Sequence, residues 1–132
     1  MAQLLYPSAE EIIELNVLVL SVIRVKKGDR HQLLGTGKLR QVVAECMESE
    51  GGIYKKAGIL LCGLVRAHAF ASGNRRTAFV AAKKFLEMNG NKIGVADSPE
   101  NARVLQGVRD GYYSEEEIVE WIEHGKIRPY LR

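Results

Sequence analysis

An apolar run over residues 57–67 breaks at His68-Ala-Phe-Ala-Ser-Gly-Asn-Arg-Arg76, and a helix-forming run resumes over residues 77–89. This stretch places a histidine, a glycine turn, an asparagine and two arginines where a helix is about to begin, and it constrains the chain more than any other. Gly73 lets the backbone turn tightly. Asn74 is read as the N-cap of a helix over residues 75–88, which stops at Asn89-Gly90 in the usual way. The first N–H groups of that helix lack partners within it and carry about half a positive charge from the macrodipole. Arg75 and Arg76 add two cations where that dipole is already positive, an unfavourable placement that an arriving anion would relieve. His68, on the near side of the turn, could face the anion and accept a proton from a hydroxyl brought to it. The plainer alternative is a histidine ending a helix beside two surface arginines.

The whole string resembles the His-x-Phe-x-(Asp/Glu)-(Gly/Ala)-Asn-x-Arg motif of the Fic/Doc family, with His68, Phe70, Gly73, Asn74 and Arg76 in register. Flanking segments extend the resemblance over nearly the whole chain. Tyr6-Pro-Ser-Ala-Glu-Glu-Ile-Ile-Glu-Leu looks like the opening helix of Doc (death-on-curing) proteins, and Leu33-Leu34 with the short helix after it looks like their second element. Arg76-Thr-Ala and Phe85-Leu-Glu-Met-Asn-Gly90 are similar to the segment after the loop. The resemblance implies a compact all-α bundle with the anion-binding loop between two central helices, one domain over residues 1–132. It also implies transfer of a phosphoryl or AMP group from ATP, or another nucleoside triphosphate, to a hydroxyl of a target protein. In that scheme His68 is the general base, Asn74 and the loop backbone hold phosphate oxygens, Arg76 neutralises phosphate charge and Phe70 anchors the loop. Gly73 and Arg75 complete the nucleotide-binding set.

Two departures from the pattern shape the expectation. Arg75 and Phe79 stand where the AMP-transferring branch has a glycine and a further arginine, which is similar to the Doc branch and favours phosphoryl transfer. Ser72 stands where the family keeps an acidic magnesium ligand. A hydroxyl binds Mg²⁺ far more weakly than a carboxylate, so the ion would be held mainly by substrate phosphates and water. The aspartates, Asp29, Asp97 and Asp110, are all remote from the motif in sequence. The family's autoinhibitory pattern (Ser/Thr)-x-x-x-Glu-(Gly/Asn) is incomplete, because Cys46 and Ala96 occupy the hydroxyl positions before Glu50-Gly51 and Glu100-Asn101. Control would then come from a separate antitoxin protein. A catalytically impaired relative that keeps the phosphate site as a regulatory module is the alternative.

The remaining sequence reads as helices. Ser8 with Glu11 and Ser114 with Glu117 form capping boxes. Ile12, Ile13, Leu15, Val19, Leu20 and Ile23 give one apolar face that Lys26-Lys27-Gly28 should end. A helix is expected from about Lys38 to Met47, another opening at Ser98-Pro99 and running toward Asp110, and an extended segment is possible over residues 92–95. Gly35-Thr36-Gly37 lacks the second half of a phosphate-binding loop and is read as a turn and helix start. Trp121, with Ile118 and Ile122, is assigned to the core, and His31 and His124 to the surface. Cys46 and Cys62 have neither partner nor ligand spacing and are read as small buried residues.

With 132 residues the chain can bury one core. Its 19 basic and 16 acidic residues give a net charge of +3, too mild and scattered to imply nucleic acid. No stretch approaches the roughly 18 apolar residues of a membrane span, and no leader pattern opens the chain, so a cytoplasmic protein without a membrane partner is expected.

Overall fold

The computed structural model describes residues 3–22 and 32–131. Six helices appear in chain order: α1 (Ala9–Val22), α2 (Thr36–Glu48), α3 (Ile53–Ala67), α4 (Asn74–Met88), α5 (Asn101–Arg109) and α6 (Glu115–His124). Among the described residues there is no strand, and extended pairing is limited to one antiparallel bridge between Leu33 and Phe70. The fold is all-α, as the sequence implied. None of the helices among the described residues is long and apolar enough to cross a membrane.

Helix α3 is central because it is apolar on most of its circumference. It packs against α2, α4, α5 and α6, while α4 meets α1, α3 and α5. Leu60, Leu61 and Leu64 from α3 join Ala78, Phe79, Phe85 and Leu86 from α4 in one core with Ile12, Leu39, Ile118, Trp121 and Ile122. Each large side chain here contributes about 1.5–3 kcal/mol by leaving water. Trp121 lies in that core, its ring 6.0 Å from Phe79.

Both capping boxes form: Ser8 Oγ accepts from Glu11 N at 3.1 Å while Glu11 Oε1 accepts from Ser8 N at 3.0 Å, and Ser114 with Glu117 repeats the pattern. Helix α5 begins at Asn101, later than expected, because residues 98–100 form a turn in which Ser98 Oγ accepts from Glu100 N. Residues 92–95 form no strand; Gly94 N instead donates to Ile122 O at 2.6 Å, tying this segment to α6. The expected stop of α1 at Lys26-Lys27-Gly28, as well as His31, lies outside the described residues. His124 is exposed, as read from the sequence.

The C-terminal end of α2 is closed by a buried lysine. The ammonium of Lys56 donates to the carbonyls of Cys46 (3.0 Å), Met47 (3.1 Å) and Ser49 (2.7 Å) and sits 5.5 Å from the Tyr6 ring. Those carbonyls have no partners within the helix, and the cation also meets the negative end of its dipole. Lys56→Met is expected to cost about 2–3 kcal/mol, since it removes the ammonium from the half-buried carbonyls of Met47 and Ser49 and leaves Cys46 O with Ser49 Oγ alone. Urea unfolding should show the midpoint falling while the slope stays constant.

Candidate functional site

The path from α3 to α4 is set by two left-handed residues. His68 closes α3 at φ 49, ψ 50, the one non-glycine with positive φ among the described residues, and Gly73 opens α4 at φ 77. A non-glycine in that region is uncommon and is held there by its surroundings. The N-cap is therefore Gly73 rather than the expected Asn74, which is the first helical residue and makes no side-chain cap.

Asn74 does something else. Its Oδ1 accepts from Phe70 N at 3.0 Å and its Nδ2 donates to Phe70 O at 2.8 Å, so one carboxamide clasps both polar groups of the residue four positions earlier. Phe70, 2% exposed, anchors the loop in the core. The second hydrogen of Asn74 Nδ2 faces His68 Nδ1 at 3.4 Å. Because Phe70 fixes which end of the amide is nitrogen, Nδ1 is the accepting atom, and a neutral His68 ring carries its hydrogen on Nε2. The imidazole is exposed.

The backbone on the other side of the loop is paired. Ala71 N donates to Gln32 O (2.9 Å), and Leu34 N (2.7 Å) and Gly35 N (3.2 Å) both donate to Ala69 O. From below, the buried Asn16 of α1 donates from Nδ2 to Ser72 O at 2.9 Å and to Thr77 Oγ1 at 3.1 Å. The next backbone donor with a partner is Thr77 N, on Gly73 O at 2.9 Å. The five N–H groups from Ser72 to Arg76 make no hydrogen bond among the described residues. Five successive free donors around a left-handed glycine at a helix start form a concavity suited to anions.

The two arginines differ. Arg75 is exposed. Arg76 donates from Nη1 and Nη2 to the two oxygens of Asp97, at 2.6 and 2.7 Å, and its guanidinium lies 5.8 Å from the Phe79 ring. Those hydrogen bonds hold the Asp97 carboxyl below the usual carboxylate range and push Arg76 further above its own. The end-on fork leaves the Nε hydrogen and one hydrogen on each terminal nitrogen available to a further anion. Asp97 is thus beside the motif in space, although remote from it in sequence.

Ser72 offers a hydroxyl and no charge, and its carbonyl is held by Asn16. Among the described residues no three His, Cys, Asp or Glu side chains come together as an ion site. A hydroxyl at position 72, where a carboxylate would be needed, does not fit a protein-held magnesium ion. The cysteines take no part: burial pushes both the Cys46 and the Cys62 thiol up to about 11, so neither forms a thiolate near neutral pH. A separate groove of about 730 Å³ runs between α2 and α3 and ends at Tyr113 and Glu115, with Arg66 and Ala67 among its walls.

Asn16 and Asp97 are the site residues that sequence reading missed. Asn16 left a signal, an amide interrupting the apolar stripe between Ile12 and Val19. Asp97 left none, since only the return of residues 91–100 along α4 brings it to Arg76.

The Fic/DOC family model matches residues 6–86, which includes α1 to α3, the loop and most of α4. Toxin Doc of Mycolicibacterium smegmatis is 46% identical over 41 residues, a match covering 31% of this chain and 32% of that protein. The chain thus spans about a third of the length of the curated relative it matches. With the motif residues gathered around one loop and most of the chain matched, the protein belongs to the Fic/Doc family.

Proposed function

We propose that this protein is a Doc-like transferase that moves the γ-phosphoryl group of ATP, or another nucleoside triphosphate, to a hydroxyl of a target protein. The observation that carries the reading is the run of five free backbone N–H groups, Ser72 to Arg76, beside the exposed His68. Phosphoryl transfer asks the protein mainly for positioning and for charge stabilisation of the phosphate oxygens. The loop amides, Arg75 and the free edge of Arg76 supply that stabilisation. Asn74 holds the loop, and one of its hydrogens stays on the open side toward His68.

In the reaction the target hydroxyl gives its proton to His68 Nδ1. At 3.4 Å the Asn74 amide is a weak donor to that nitrogen and yields it readily. The hydroxyl oxygen bonds the γ-phosphorus as the bond from that phosphorus to the β,γ-bridging oxygen breaks, and its electron pair leaves with the nucleoside diphosphate. A magnesium ion bound with the nucleotide would be held mainly by its phosphates and water and would offset phosphate charge, and no residue role here depends on a protein ligand to it. Arg75 and Phe79 favour phosphoryl over AMP transfer through their similarity to the Doc branch. Phe79 is 1% exposed, its ring 6.0 Å from Trp121, and brings no charge where the AMP-transferring branch has the further arginine.

The likeness to a protein named Toxin Doc, with the incomplete autoinhibitory pattern, supports a bacterial toxin role in the cytoplasm with a separate antitoxin protein. The chain would act as one domain over residues 1–132. A second reading, a nucleotide- or phosphate-binding module without chemistry, is favoured by Ser72 in place of a carboxylate and by the hold of Asp97 on Arg76.

Incubation with a bacterial lysate and ATP labelled at either the γ or the α phosphate tests the reaction. Label should reach protein from the γ position alone, and His68→Ala should reduce transfer about a hundredfold or more with nearly unchanged ATP affinity. Label from the α position would mean AMP transfer, and none from either would leave the binding module. In calorimetry Arg76→Ala should weaken ATP binding by about 2 kcal/mol, the scale of a charged hydrogen-bonding partner. Undiminished affinity would remove Arg76 from the site.

A further inference from the structure

Asn16 sits midway along α1 with its side chain at 0% exposure, on the face that also buries Ile12 and Val19. A carboxamide in such surroundings persists where its hydrogen bonds are made. The two bonds from its Nδ2 reach across to the motif, to Ser72 O and Thr77 Oγ1, and these acceptors bracket four of the five free N–H groups, those of Gly73 to Arg76. Gly73 makes the approach possible: a Cβ there would lie 3.2 Å from Asn16 Nδ2 and 3.1 Å from Leu20 Cδ2.

The peptide joining Ser72 to Gly73 is trans, and a trans peptide sets its N–H opposite its C=O. Holding the Ser72 carbonyl toward α1 therefore turns the Gly73 N–H away from α1, to the open side of the loop. Without that hold, the peptide could rotate and present its carbonyl oxygen, which repels an anion, where a donor now stands.

We propose that Asn16 is a positioning residue of the anion site, aiming the Gly73 N–H at a bound phosphate from the buried side without touching it. This rests on the reading of the loop as a phosphate cradle. It places a determinant of nucleotide affinity on the first helix, outside the His68 to Arg76 motif.

The test compares Asn16→Leu, which removes both donors at similar size, with Thr77→Val, which removes one acceptor and leaves the Ser72 bond. ATP binding is followed by calorimetry and stability by urea unfolding. Both variants should be less stable than wild type, yet only Asn16→Leu should bind ATP about tenfold more weakly, against less than about twofold for Thr77→Val. If Asn16→Leu does not fold, Asn16→Ser, too short to reach Ser72, takes its place in the comparison. Unchanged affinity in a folded Asn16 variant overturns the proposal, as does an equal loss in both variants, which would make the cluster merely structural. A wild-type protein that binds no ATP at millimolar concentration overturns the phosphate reading itself and this inference with it.

Discussion

The clasp of Asn74 on Phe70 is the contact that the loop depends on. Its two hydrogen bonds, at 3.0 and 2.8 Å, span both polar groups of one residue, so the chain between 70 and 74 is closed into a small ring. One end of that ring is buried through Phe70 and the other begins α4. Both ends are fixed by the core, which is why the loop can keep a left-handed His68 and leave donors unpaired without collapsing onto them.

The site is then a consequence of three helices meeting at this ring. The end of α3 delivers His68, the loop and the first turn of α4 deliver the free amides, α4 delivers both arginines, and α1 supplies Asn16 beneath them. The segment at residues 32–35 seals the remaining edge by pairing with residues 69–71. Electrostatics follows the same plan: the positive start of α4 carries Arg75 and Arg76, and Asp97 partly offsets Arg76. A partly exposed pair such as Arg76 with Asp97 contributes little to stability, on the order of 0–1 kcal/mol, so its more consequential effect is on where the guanidinium points.

Much of this was readable from residue order because it is local. Glycine turns, capping boxes and the apolar stripes of α1, α3 and α6 are set by neighbours a few positions away, and the motif lies within nine consecutive residues. What escaped was set by tertiary contacts. The N-cap passed from Asn74 to Gly73 because the asparagine side chain found a better partner in Phe70 than in its own helix. Proline at position 99 suggested a helix start, but a turn at residues 98–100 came first, and α5 began at Asn101. Asp97 and Lys56 act through groups that only the folded chain brings within reach, the first across 21 residues and the second across 7 to 10.

The central claim is that nucleotide phosphates bind at the backbone amides from Ser72 to Arg76. An amide-resolved nuclear magnetic resonance titration of the full chain with ATP tests it directly. The predicted result is saturable shifts concentrated at residues 72–76 and at His68, with the Gly73 amide among the largest. Shifts centred instead on Cys62, Gly63 and Tyr113, in the groove between α2 and α3, or no saturable shift at residues 72–76, would contradict it.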